Sequence, residues 1–327
     1  MILLVVSVAA LVVAIGLSLA IGTRPVPPHV VLDVILGRPV DPQDYHAVAV
    51  LRFPRTVVGL LAGIGLGVAG AVMQALTRNP LADPGLLGVT AGASFFVAIA
   101  VSALGVGSPA AYTSFALAGA LVAAVAVALI GGSRGKGIDP IRLTLAGVAL
   151  TAVLTGTVSA IRAAAPRTFN AMLTWEIGSL VNRGWDVIIP IGPVILVGTL
   201  LAFFISGRLN TMAMGDDLAT TLGTSVAGTR VLAVLAVAAL AGGATAIAGP
   251  ISFVGLMVPH IVRRFSGGDQ RWIIGISVLL SPVLLLLSDV LGRLVLWPGE
   301  MAVGVVTAFL GAPLLIAIIR QKKVIAL

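Results

Sequence analysis

Three groups of residues in this chain have spacings that invite a chemical reading. Gly65-Leu66-Gly67-Val68-Ala69-Gly70 has the G-x-G-x-x-G spacing that brings a helix N-terminus up to a dinucleotide pyrophosphate. That use needs a preceding strand, and here the glycines fall within a long apolar stretch. Gly59, Gly63, Gly67 and Ala71 place a small residue at every fourth position, which predicts close helix–helix packing. Gly131 to Gly137 has the outline of a phosphate-binding loop. However, Ile130 stands where its first glycine belongs, and Gly137 follows Lys136 where Ser or Thr is required. His29, His46 and His260 form no pair at metal-ligand spacing, and the absence of cysteine removes thiolate ligands and thiol nucleophiles. With no nucleophile–base set, metal site or nucleotide site, the chain is expected to be neither an enzyme nor the holder of a cofactor.

The ionisable residues point to transport rather than catalysis. Asp289 lies one helical turn before Arg293, a spacing at which they pair. Glu176 and Glu300 fall in outer segments, so the middle of the chain's apolar body is expected to be nearly uncharged. Ion-coupled transporters need buried ionisable groups at depth, which makes that class the weaker alternative and requires energy from a partner. The most unusual stretch is Arg78-Asn79-Pro80-Leu81-Ala82-Asp83-Pro84-Gly85-Leu86-Leu87-Gly88, between two long apolar segments. Proline cannot continue a helix and drives its predecessor towards extended geometry. Asn79-Pro80 and Asp83-Pro84 therefore predict a rigid polar elbow.

The elements that must hold these residues are membrane helices. Apolar residues make up 59% of the chain and charged residues 10%, against about 45–50% and about 25% in soluble domains; the mean hydropathy is +1.15. The first twenty residues are apolar at once, without a basic n-region, and read as a retained first helix. Ten spans are predicted, at 1–22, 56–77, 85–105, 113–132, 141–163, 187–206, 229–248, 250–266, 272–294 and 301–320. The fold class is thus all-α and polytopic, with 1–327 as a single transmembrane domain. An even number of spans puts both termini on one side. If that side is the cytoplasm, Arg24, Arg38, Arg52, Arg55, Arg162, Arg167, Arg183 and Arg293 lie outside and the other twelve of the 20 basic residues inside. The net charge of +8 then reflects loops facing anionic lipid rather than nucleic acid, because no Lys/Arg run with interleaved aromatics exists.

Beyond the spans, Pro25 to Pro54 reads as a Pro-rich loop and Met172 to Val181 as an outer apolar piece too short to cross. Ser206 to Gly228 reads as short polar helices. Within it, Asp216-Asp217-Leu218-Ala219-Thr220-Thr221-Leu222-Gly223 has an N-cap and a glycine stop. On pattern alone this segment is as compatible with a solvated loop as with a docking surface.

Several motifs occur in order along the chain. Arg52-Phe53-Pro54-Arg55 is followed by Gln74 to Pro84, Gly88-Val89-Thr90-Ala91-Gly92-Ala93 and Arg142 to Leu150. Then come Trp175-Glu176-Ile177-Gly178-Ser179-Leu180, Met214 to Gly223, and Gly249-Pro250 through Pro259-His260. Asp289 to Arg293 and Gly311-Ala312-Pro313 close the set. Together they resemble the permease family of binding-protein-dependent ABC importers for iron-siderophores, haem and cobalamin, over nearly the whole chain.

The resemblance implies a ten-helix type II importer permease in a bacterial cytoplasmic membrane. It would pair with a second permease subunit, favoured as homologous but non-identical. Two ATPase subunits holding ATP and Mg would dock inside and a substrate-binding protein outside. It implies that Arg52, Arg55 and Arg293 face outward to meet acidic residues of the binding protein. It also implies that Met214, Gly215, Asp216, Asp217, Leu218, Leu222 and Gly223 form the coupling segment for an ATPase. Asn79, Pro80, Asp83, Pro84, Pro259, His260 and Asp289 are then structural motif positions. The family's last outer loop often reads Glu-x-Pro-x-Gly, whereas Met301 and Ala302 follow Glu300 here, which weakens any role for that glutamate. Thr144, Thr151, Thr155 and Thr157, on the fifth span, are candidates for lining the path. For each, a backbone hydrogen bond one turn back is the equally simple reading. A siderophore leads as substrate, with haem and cobalamin as alternatives.

Overall fold

A computed structural model describes residues 2–133 and 137–320. Arg134, Lys136, Lys322 and Lys323, four of the residues assigned to the inner side, lie outside the described residues. The chain is all-α. Its helices are α1 (Ile2–Ala20), α2 (Pro28–Ile35), α3 (Pro42–Tyr45), α4 (Phe53–Thr77), α5 (Val89–Leu104), α6 (Pro109–Gly131) and α7 (Pro140–Ala164). There follow α8 (Pro166–Glu176), α9 (Trp185–Ala213), α10 (Asp216–Thr221), α11 (Val226–Ala248), α12 (Val254–Ser266), α13 (Gln270–Val295) and α14 (Val303–Arg320). The extended pairing among the described residues is a two-residue ladder, Gly132–Ser133 with Gly137–Ile138, between α6 and α7.

A helix stands at each of the ten predicted spans, but they are not alike. Seven are long and apolar enough to cross a membrane, which makes this a multi-pass membrane protein. Helices α5 and α14 are shorter, and the 13 residues of α12 reach only about 20 Å. The Pro-rich stretch is no simple loop. It folds into α2, α3 and a π-helical turn (His46–Arg52) that runs directly into α4. The outer apolar piece is displaced too: α8 starts at Pro166, whose fixed φ suits a first helical position, and ends before Gly178, which takes φ +72.

Helix α4 is the hub, with 78% of its apolar window buried. Its small residues explain how it meets several helices at once. A Cβ on Gly63 would lie 2.6 Å from the Pro282 Cα of α13, and one on Gly65 would lie 2.7 Å from the Leu240 carbonyl oxygen of α11. The dinucleotide-like glycine spacing is therefore a packing surface. With no hydrophobic drive between helices in lipid, such close backbone approach is what holds them.

The outer ends of α1, α4 and α13 are tied by charge. The Arg52 guanidinium donates to the Leu19 and Ala20 carbonyls, each at 2.8 Å, and Arg293 donates to the Ser18 and Ile21 carbonyls at 2.8 and 2.6 Å. Helix α1 has no basic residue in its own last turn. Two distant arginines thus supply the donors that its terminal carbonyls lack. Asp289, 1% exposed, binds Arg55 through both oxygens at 2.7 and 2.9 Å and accepts from Arg293 Nε at 3.1 Å. Arg55 also reaches Glu300 at 2.6 Å.

Candidate functional site

The elbow after α4 is built by its own polar residues. Arg78 ends α4 in a left-handed conformation, φ 49, and the Asn79 N–H donates back to the Gln74 carbonyl at 3.2 Å. Asn79 Oδ1 accepts from the Leu81 N–H at 3.0 Å, and Asp83 Oδ1 accepts from the Gly85 N–H at 2.8 Å. Each side chain thereby satisfies a backbone donor that the following proline-led turn leaves without a helical partner. A 3-10 turn (Pro84–Leu87) and Gly88, at φ +68, then deliver the chain into α5.

This elbow sits at membrane depth. Leu86 packs its carbonyl onto Gly147, which lies seven residues, about 10 Å, into α7. A second break meets it there. Between α11 and α12 the chain runs non-helically from Gly249 to Phe253, and Gly255 packs against Pro84, where an added Cβ would lie 3.1 Å from the proline Cδ. Pro259 has no N–H, so the Gly255 carbonyl four residues earlier lacks its intrahelical donor. Gln74 Nε2 supplies one at 3.4 Å and also donates to the Leu256 carbonyl at 3.2 Å. His260, the neighbour of Pro259, is 3% exposed.

Both breaks open onto one cavity of about 410 Å³. Its wall includes Asp83 and Gly85 from the elbow, Pro250 and Ser252 from the second break, and Thr151 and Thr155 from α7. Of the four candidate threonines, these two line the space. Thr144 and Thr157 instead donate to the Pro140 and Val153 carbonyls, each at 2.9 Å. Asp83 corrects the expectation of an uncharged interior, because the elbow carries its carboxylate to the cavity. Arg162 and Glu176 form an ion pair on the same wall. Neither assignment was legible from spacing, since α7 and α8 turn back on each other only in three dimensions.

A second cavity, of about 310 Å³, opens at the outer ends of α1, α4 and α13. The three expected docking arginines, Arg52, Arg55 and Arg293, all line it. They are not free to face outward, however. Arg52 and Arg293 are 6% and 2% exposed, and their guanidinium groups are spent on the α1 carbonyls and Asp289. As solvent-facing docking residues these two are corrected: unpaired helix-end carbonyls and a buried carboxylate hold them inward. Arg24 on the same wall bonds Gln43 at 2.6 Å and Asp44 at 3.1 Å. Arg183, absent from the expected set, lines the cavity at 8% exposure with its Nε buried and without a hydrogen-bond acceptor. Burial pushes its pKa below the usual arginine value, with Asp186 opposing. No sequence motif marks it.

At the opposite end, Gly215 (φ +113) and Gly223 (φ +81) bracket α10. Asp216 accepts from Arg78 and from Arg230, each at 2.6 Å, fixing this short helix to the elbow's first residue and to α11. Asp217 lies in the same first turn, with its carbonyl accepting from the Thr221 hydroxyl at 3.0 Å. Met214, Leu218 and Leu222, four residues apart, are 63%, 43% and 57% exposed. An apolar stripe this open on a polar segment marks an interaction surface.

The sequence model of the FecCD transport family matches residues 10–321. The chain is 46% identical over 313 residues to the ferric enterobactin transport system permease protein FepD of Escherichia coli (strain K12), covering 95% of this chain and 93% of that one. It is 39% identical over 276 residues to the Fe(3+)-citrate import system permease protein YfmD of Bacillus subtilis (strain 168), covering 84% and 82%. A solved structure described as an inward-facing metal-chelate type ABC transporter superposes with a TM-score of 0.84 at 26% identity. That match covers 96% of this chain and 97% of the other.

Proposed function

This chain belongs to the FecCD transport family, and from that premise we propose that it is the permease subunit of an ABC importer carrying an iron(III)–siderophore complex across the bacterial cytoplasmic membrane. The observation that carries this reading is the meeting of two helix breaks at membrane depth on one polar cavity. Non-helical backbone is tolerated there only where it is buried in protein or lines a wet cavity, so this is where cargo would pass. The names of the relatives favour an iron chelate over haem or cobalamin as that cargo.

Residues 1–327 would act as one transmembrane permease domain. Helix α7 has only 17% of its apolar window buried, yet it carries Thr151, Thr155 and Ser159. Hydroxyls on so open a face suit a second permease subunit that completes the path, homologous and non-identical in our reading. Energy would come from two ATPase subunits, which bind ATP and Mg and dock on the stripe of α10. A substrate-binding protein would dock outside, over the arginine-lined cavity.

Radio-iron uptake from a panel of ferric siderophores tests the reading, in a strain lacking this gene and in its complemented counterpart. Uptake of one chelate should disappear and return on complementation. Unchanged uptake of every siderophore would overturn it and bring haem and cobalamin forward.

The outer cavity gives a separate prediction. Arg183 is its uncommitted cation, so it is the residue best placed to meet a carboxylate of the binding protein. Arg183→Glu should weaken binding-protein affinity about tenfold and flatten the salt dependence of docking, because complementary charge acts mainly on encounter and register. Titration of the binding protein against the reconstituted complex at two ionic strengths checks this. An unchanged affinity would return the role to Arg55, at 11% side-chain exposure the more open of the remaining arginines.

A further inference from the structure

The cavity between the two helix breaks has a chemical polarity that the transport reading leaves unused. Among the described residues on its wall, Arg162 is the cation, at the outer end of α7. It pairs with Glu176 at the last turn of α8, so a single contact joins the two elements that close this end of the cavity. The Arg162 Nε is buried and has no hydrogen-bond acceptor in the chain. Below it the wall offers Ser94, Thr151, Thr155 and Ser252, while the Asp83 carboxylate stands at the elbow. A guanidinium with an unspent donor, above a wall of hydroxyls, fits an oxygen-rich anion better than a neutral or cationic cargo.

We propose that Arg162 recognises the anionic oxygens of a ferric chelate, and that Glu176 occupies it, shutting the outer end of the cavity, until the cargo displaces that carboxylate. The proposal rests on the reading of the chain as a ferric-chelate permease and adds the class of chelate, an anionic one of the catecholate or carboxylate kind. The energetics follow from differential binding. Opening the Arg162–Glu176 contact unaided leaves a half-buried cation without its partner, which is costly. An anionic chelate binds Arg162 only in the opened state, so it shifts the equilibrium towards opening, whereas a cargo without anionic oxygens gains nothing from the exchange. The likeness to a structure described as inward-facing agrees with an outer contact that is closed.

Two single substitutions separate recognition from bracing. Arg162→Gln removes the cation, whereas Glu176→Gln removes only its temporary partner. Uptake of iron-55 tris-catecholate is measured in the gene-deleted strain complemented with each full-length variant, normalised to membrane abundance. Arg162→Gln is expected to lower uptake about tenfold or more, the scale of a lost charge-assisted hydrogen bond, and Glu176→Gln to leave it within about twofold. Arg162→Lys should recover part of the loss. Equal losses in the two Gln variants, both cured by the exchange R162E/E176R, would make the pair a structural brace and overturn the proposal. So would wild-type uptake by Arg162→Gln. Failure of the unmodified chain to restore uptake of any ferric chelate would instead overturn the permease reading, and this proposal with it.

Discussion

Asp289→Asn is expected to destabilise the protein by about 3–5 kcal/mol, the cost of removing one member of a buried ion cluster and leaving its partners uncompensated. The carboxylate is 1% exposed and holds Arg55 by two bonds and Arg293 by one turn of helix. An amide keeps the shape but halves the acceptors and cancels the charge. Two guanidinium groups would then share a nearly dry site with Glu300 as the remaining carboxylate, and that residue contacts Arg55 alone. The effect should spread to α1, because Arg293 also caps its last carbonyls. Thermal unfolding of the detergent-solubilised protein, followed by helical signal, gives the measurement. Asp289→Glu serves as the charge-preserving control. A melting temperature within error of wild type for Asp289→Asn would show that the cluster is dispensable.

The second large effect is expected at α10. Leu218→Asp puts a charge at the centre of the exposed Met214–Leu218–Leu222 stripe and should cost about 2–4 kcal/mol of ATPase binding, as central interface residues do. The complex should then fail to hold its ATPase subunits during purification, and chelate uptake should fall with it. Gly223→Val should act in the same direction for a different reason. Nothing lies within 4 Å of the position a Cβ would take, but the residue is held at φ +81, where a β-branched side chain is strained. Normal recovery of the ATPase with Leu218→Asp would mean that the stripe is covered by something else.

The two substitutions act at opposite ends of a connected structure. Asp216 ties α10 to Arg78, and Arg78 is the residue from which the elbow begins. Movement imposed on α10 is therefore delivered to the segment that carries Asp83 to the cavity wall. This gives the permease a short mechanical route from a docked ATPase to the proposed path.

Much of this was legible in the amino-acid order, because it depends on local chemistry. Apolar runs long enough for lipid fix where helices form, and Asn79-Pro80 and Asp83-Pro84 dictate an elbow, since each side chain can reach only the backbone two residues on. The four-residue repeat of small side chains fixes a packing face on α4, and the i, i+4 spacing of Asp289 and Arg293 fixes their pair. The sequence motifs also sufficed to establish the family.

Other features depend on which segments fold back on one another, and no local rule contains that. Arg52 and Arg293 read as outer arginines, yet the fold brings the end of α1 between them, and unpaired carbonyls bind them more strongly than water would. Arg183 carries no motif, and only the closing of α1, α4 and α13 around it makes it the uncommitted cation. Thr144 and Thr151 are two helical turns apart and chemically alike. Packing alone decides that one bonds its own backbone while the other faces the cavity. The depth of the elbow is decided in the same way: Gly147 lets Leu86 approach α7, and only that contact turns a loop between spans into the wall of a path.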